Sequence, residues 1–290
     1  MEYMRNIKPP LPFVGHKGHW VSELSEIASS LPENYTVFDV FGGSGVCAHC
    51  FKQARPDLNV VWNDFDNYQA RLDHVDQTES LRQRLLDGLG RPVPKGAFNP
   101  PITDEQRDFV FKTLEAHQAQ FGFVDEQTVS RWFYLYPLKT HKLRSSTGKM
   151  YNRIPVVPMR TAACATWLTD VVRTSVTFSG LDTQFIFPTF CIYPRTFIPA
   201  QDALFVFDPP YLATGCNDYG NQDALFCLRN IVECCECLPF LLFGDASIAF
   251  WYEALFRGRP VRKYEKQINN VGMAGTRRTE VLFARLPGDA

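Results

Sequence analysis

The sequence predicts an α/β fold in which short buried strands alternate with helices and a smaller module interrupts the order. Thr36-Val37-Phe38-Asp39-Val40-Phe41 is a β-rich run that ends in Gly42-Gly43-Ser44-Gly45 and passes into helix-compatible sequence, the first half of a βαβ unit. Residues 203–207 and 239–243 are continuous apolar runs, suited to strands covered on both faces. In the middle of the chain the character changes, with proline and glycine punctuation and a basic stretch that holds no acid.

Taken in order, residues 20–31 place apolar groups at Val21, Leu24, Ile27, Ala28 and Leu31, which is helical spacing. After the first strand and its glycine turn, residues 46–54 read as a helix. Asn59-Val60-Val61-Trp62-Asn63-Asp64 reads as a second strand with an acid at its end, followed by one long helix over about 68–89. Gly90-Arg91-Pro92-Val93-Pro94 and Asn99-Pro100-Pro101 mark a linker. Beyond it come a helix over about 103–120, the aromatic run Trp132-Phe133-Tyr134-Leu135-Tyr136 and a basic loop ending near Pro158. Strand signals return at Ser175-Val176-Thr177-Phe178, 203–207 and 239–243, with helices over about 223–237 and 248–256. Two final strands, about 261–267 and 280–286, form a hairpin at one sheet edge. The expected division sets an inserted module, 90–161, apart from 1–89 and 162–290.

With 290 residues, 45% hydrophobic and 21% charged, the composition excludes a disordered, collagen-like or disulfide-scaffold protein. No stretch approaches the roughly 18 apolar residues of a membrane span, and the first eight residues lack the apolar core of a secretory signal. The expectation is a cytoplasmic protein, away from the membrane, whose nine cysteines are reduced thiols. The net charge of −1 conceals two basic clusters. Arg131, Lys139, Lys142, Arg144, Lys149, Arg153 and Arg160 lie in an acid-free window, and Arg257, Arg259, Arg262, Lys263, Lys266, Arg277 and Arg278 form the second. Such faces suit a polyanion, and a solvated positive surface accounts for them equally.

The glycine turn at 41–45 lets backbone N–H groups approach a ligand at a helix N-terminus. Tight strand–helix packing explains the same residues. Asp64, about 20 residues further on, suits ribose hydroxyls; a helix N-cap is the alternative, which Asp66 would fill as well. The most specific feature is Asp208-Pro209-Pro210-Tyr211, directly after an apolar strand. Two prolines make a rigid extended turn without backbone donors. That leaves the Asp208 carboxylate and nearby carbonyls as acceptors, with an aromatic ring beside them, an arrangement suited to the exocyclic amine of a flat base. Cys47-Ala48-His49-Cys50 and Cys234-Cys235-Glu236-Cys237 lack the paired spacing of a zinc site and read as packing thiols, so no metal is expected. Asp245 reads as a turn or helix cap.

These motifs make the chain resemble the Dam-type N6-adenine DNA methyltransferases (the D12 class, alpha group), a family that serves restriction–modification and genome marking. Pro12-Phe13-Val14-Gly15-His16-Lys17-Gly18 is similar to the motif in which an aromatic residue and a lysine, here Phe13 and Lys17, flank the methionine portion of S-adenosylmethionine. Asp39-Val40-Phe41-Gly42-Gly43-Ser44-Gly45 resembles the cofactor loop, Asn63-Asp64 the ribose-binding acid, and Asp208-Pro209-Pro210-Tyr211 the catalytic signature. Ser179-Gly180-Leu181-Asp182 resembles the segment whose acid reads the cofactor's adenine, although Asp182 precedes Asp208 by a longer stretch than the family has. Weaker echoes lie at 147–153 and 276–283.

The resemblance implies a Rossmann-like methyltransferase sheet, 1–89 plus 162–290, carrying catalysis and cofactor, with 90–161 as a target-recognition module. It implies double-stranded DNA as partner, bound through Lys139, Lys142, Arg144, Lys149, Asn152 and Arg153, and a monomer or weak dimer without an obligate protein partner. Asp208 and the Pro209 carbonyl would accept the amine's N–H bonds while Tyr211 stacks on a flipped base. Cytosine N4 methylation, RNA methylation and a catalytically inactive cofactor- or DNA-binding protein are the alternatives.

Overall fold

The computed structural model describes residues 7–13, 15–94, 96–134, 148–175, 202–209, 231–232, 235, 238–269 and 277–289. The chain divides into two compact units: Met1–Lys8, Gly15–Asp66 and Leu168–Ala290 form a sheet unit, and Pro9–Val14 with Asn67–Trp167 a helical unit.

Among the described residues the sheet unit is built on seven strands: β1 (Thr36–Asp39), β2 (Asn59–Asn63), β3 (Val172–Thr174), β4 (Ala203–Phe207), β5 (Phe240–Asp245), β6 (Arg262–Asn269) and β7 (Arg277–Arg285). Their order is β3-β2-β1-β4-β5-β7-β6. β1 to β5 pair in parallel, whereas β7 runs antiparallel to both β5 and β6. Successive side chains of a strand face opposite sides, and every residue of β1, β4 and β5 is buried, so both faces of the central sheet are covered. On one face Phe38 stacks on Phe205, its register partner, at 5.1 Å between centroids. This layer continues through Phe207, Phe240 and Phe283 to Tyr252 and Phe256, contributed by α8 (Ala246–Leu255) and the residue after it. Each such ring contributes about 1.5–3 kcal/mol by leaving water. Helices α1 (Val21–Ser30) and α2 (Val46–Ala54) pack on each other, α2 also against β1 and β2. Asp245 caps α8, accepting from the Ser247 N–H at 3.0 Å.

The helical unit contains α3 (Tyr68–Asp73), α4 (Val75–Leu89), α5 (Asp104–Phe121), α6 (Glu126–Phe133) and α7 (Thr161–Ala165). The expected single helix over 68–89 is two, shared at His74, whose ring Nδ1 approaches the Ala70 carbonyl at 2.7 Å. Thr103 and Gln106 form a capping box that starts α5. Helix α6 starts on Asp125, which accepts from the Thr128 N–H at 3.0 Å. A core of Leu81, Leu85, Val110, Leu114, Trp132 and Phe133 closes this unit. It takes in 67–89, which the sequence reading placed with the sheet.

Strand β3 lies at 172–174, just upstream of the expected 175–178, of which 176–178 lie outside the described residues. The expected helix over 223–237 lies largely outside them too. No helix among the described residues is long and apolar enough to cross a membrane.

Candidate active site

The chain order of the strands reverses at β1 and β4: β2 and β3 extend the sheet on one side of β1, β4 and β5 on the other. In open α/β sheets this switch point opens a crevice beyond the carboxyl ends of the strands, where ligands bind. The described sequence candidates of the sheet unit collect there. Asp39 ends β1, Asp64 follows β2 and Asp208 follows β4. The exit of β1 is tied to both neighbours, because the Val40 N–H donates to the Val206 carbonyl at 3.0 Å and the Asn63 amide donates to the Val40 carbonyl at 3.0 Å.

The glycine turn follows. Gly43 and Gly45 have φ of 46° and 72°, the left-handed region that glycine adopts without strain. At Gly42 a Cβ would come within 2.1 Å of the Trp62 ring, and at Gly45 within 2.7 Å of the Leu168 side chain. Packing therefore demands two of these glycines, and Leu168 itself holds φ 59°, a strained conformation for a bulky residue. Ser44 is buried and Phe41 packs against the aromatic core.

Lys17 caps a 3-10 turn, Gly18–Trp20, that leads into α1. Gly18 is required there, since a Cβ would fall 1.9 Å from the Ile7 carbonyl oxygen. The buried Lys17 ammonium donates to the Gly15 carbonyl at 2.8 Å and to Asp208 Oδ2 at 2.5 Å, 5.4 Å from the centre of the Phe243 ring. Burial pushes the Asp208 carboxyl up, and Lys17 opposes that shift. Asp39 is pushed up to about 7 by burial, with the Ala48 N–H, 3.1 Å from its Oδ2, pulling the other way.

Two residues of the same turn reach a carboxylate that the sequence reading did not single out. Glu280 of β7 is fully buried and binds His19 Nε2 at 2.6 Å, Trp20 Nε1 at 3.1 Å and Arg278 Nη2 at 2.5 Å. Burial opposes its ionisation, but His19, Lys17 and Trp20 hold it down at about 2. Arg173 of β3 was also missed. It pairs with the wholly buried Asp64 at 2.9 Å, because β2 and β3 align Trp62 with Arg173. No local pattern announces either residue; strand register assembles both.

Phe13 belongs to the helical unit and meets Tyr68 edge-on at 5.8 Å. In that unit Lys149 is exposed, the Asn152 amide donates to the Gly90 carbonyl at 3.0 Å, and Arg153 Nη1 donates to the Tyr134 carbonyl at 3.1 Å. Pro209 is buried. Pro210, Tyr211, Asp182, Lys139, Lys142 and Arg144 lie outside the described residues. Of the second basic cluster, Arg262, Lys263, Lys266 and Arg278 are each paired with an acid. Cys47 and Cys50 are buried thiols, Cys50 pushed up to about 12 by burial, which suits apolar packing.

No family model matches the chain. A Haemophilus influenzae protein named "Putative methyltransferase" is 27% identical over 248 residues, spanning 83% of this chain and 77% of that protein. With the mostly parallel seven-stranded sheet, this similarity supports a Rossmann-like methyltransferase and, in general terms, S-adenosylmethionine as cofactor.

Proposed function

We propose that the protein is an adenine-specific DNA methyltransferase acting on N6 in double-stranded DNA. The observation that supports it best is Asp208, a carboxylate beyond the end of β4, one strand away from the glycine turn that follows β1.

The residues fit a nucleoside cofactor. Asp64, paired with Arg173, lies after β2, where the family resemblance has the ribose-binding acid. Beside Gly42, the Trp62 indole nitrogen is buried with no hydrogen-bond partner among the described residues. Gly42, Gly43, Ser44 and Gly45 would hold the cofactor backbone, with Phe13, Lys17, Asp39, Phe41 and Asp182 as further contacts implied by the family resemblance. When bound, S-adenosylmethionine supplies a methyl group on a sulfonium, a good leaving group.

The protein's own task is to make a poor nucleophile competent. The lone pair of an aromatic amine is delocalised into the ring. Asp208 and the Pro209 carbonyl accept from its two N–H groups, favour a pyramidal nitrogen and stabilise the positive charge that develops there until one N–H proton is lost to water, so positioning and electrostatics carry the rate. Pro210 stiffens the corner, and Tyr211 stacks on the extruded base. Lys139, Lys142, Arg144, Lys149, Asn152 and Arg153 serve the DNA.

The test is incubation with labelled S-adenosylmethionine and duplex DNA or RNA, followed by identification of the modified nucleoside. N6-methyladenine in DNA is the expected product. Methylcytosine, or label in RNA alone, overturns the substrate. Transfer to neither polymer, with cofactor still bound, replaces the enzyme by a binding protein. DNA affinity should also fall steeply with salt, as phosphate contacts release counterions.

A further inference from the structure

We propose that Lys17 is a positioning residue for Asp208, holding one carboxylate oxygen so that the other faces the target amine. The inference rests on the reading of Asp208 as the amine's acceptor and gives Lys17 a role distinct from the cofactor contact that the family resemblance implies.

A carboxylate at a strand end can rotate, and an amine needs an acceptor in one direction. Lys17 Nζ sits 2.5 Å from Oδ2, and among the described residues nothing else bonds this carboxylate. Oδ1 is thereby left as acceptor. Lys17 is itself held. Its ammonium donates to the Gly15 carbonyl, and the turn that carries it is pinned through His19 and Trp20 to Glu280 on β7. The turn Gly18–Trp20 and its capping Lys17 thus fasten to the exit of β4 through Asp208 and to β7 through Glu280. The side chain of Lys17 is 3% exposed against 20% for Asp208, so the carboxylate is the more accessible member of the pair.

The charge arrangement agrees with this geometry. The groups that act electrostatically with Asp208 are Lys17 and His19 on the turn, Asp39 ending β1, Cys47 of α2, Glu280 of β7 and Tyr252 of α8. Two of them, Asp39 and Glu280, are carboxyls that disfavour a second negative charge. Lys17 is the cation in hydrogen-bond contact, and its removal leaves Asp208 more readily protonated, a form that offers the amine a weaker acceptor.

Single-turnover methylation of duplex DNA, at saturating S-adenosylmethionine and across pH, tests this with Lys17→Met and Lys17→Arg. In Lys17→Met the acid limb should move up by about one pH unit or more, and the plateau rate should fall roughly 100-fold from lost alignment. Lys17→Arg should recover the position of the acid limb. Affinity for S-adenosylhomocysteine, measured by calorimetry, separates the two roles of Lys17, because saturating cofactor removes a pure binding defect from the single-turnover rate. An unmoved acid limb, or a variant whose whole defect is weak binding of that analogue, overturns the inference. If the parent protein methylates no DNA, it is the proposed function that fails. The coupling is then read by NMR titration of ¹³C-labelled aspartates, the Asp208 signal being the one lost in Asp208→Asn. Lys17→Met must raise that titration, and an unchanged midpoint overturns the inference.

Discussion

In the helical unit the buried guanidinium of Arg71 meets an acceptor at every nitrogen: Asp125 for Nε, Gln127 for Nη1, and the Pro12 carbonyl with Thr128 for Nη2. Arg82 is held in the same manner by Glu79 and the Pro155 carbonyl. In the sheet unit Asp39 and Asp208 lie at strand ends with carboxyls pushed up by burial. Buried charge has two uses here. Where fork geometry gives the nitrogens of a guanidinium their acceptors, it joins segments of chain. Where burial is only partly compensated, it leaves an acceptor poised for a ligand.

Mutations separate the two uses. The largest effect is expected at Asp208. Asp208→Ala should lower methyl transfer about a thousand-fold or more while S-adenosylhomocysteine binding is retained; parental turnover would erase the distinction between the units. Next comes Arg71→Met, which strands Asp125 and should cost about 3–5 kcal/mol in denaturant unfolding, any loss of activity following the loss of folded protein.

Within the sheet unit the acids should show opposite pH slopes. Asp39 keeps its proton in the folded state up to about 7 against an ordinary 3.8, so its contribution is fully present below pH 3.8 and is lost as pH rises toward 7. Glu280 is depressed to about 2 against 4.5, so its contribution is present above 4.5 and lost as pH falls toward 2. Melting temperatures of Asp39→Asn and Glu280→Gln across pH 3–8 should each lack the corresponding slope. The smallest effect belongs to the Thr103 cap, where Thr103→Ala should cost about 1 kcal/mol, read by hydrogen exchange in the first turn of α5.

The same contrast explains what was legible in the sequence. Residues 203–207 are apolar throughout and became β4 with those bounds, because a strand covered on both faces needs no alternation. Asp64 and Asp208 were visible because one ends and the other follows a β-rich run, whereas Asp39 was marked only by the cofactor-loop resemblance. Capping chemistry was present and only partly read. Asp245 was read as a turn or helix cap and caps α8, whereas the Thr103–Gln106 box of α5 was not read and Asp125 begins a helix in a stretch noticed only for its aromatics. The break at His74 was not visible, since apolar spacing continues through it. Glu280 and Arg173 could not be recognised, because their partners are supplied by strands and turns more than a hundred residues away in the chain.

The ionic group around Lys17 draws its members from positions 17, 39, 208 and 280. During synthesis, a ribosome would release the first two long before the last strand emerges, and β7 must then slide between β5 and β6 to deliver its glutamate. Contacts of such separation form slowly. A nascent chain halted before position 280 could pair Lys17 with Asp208 but would leave His19 and Trp20 without their carboxylate, so the anchoring of that turn should arise late.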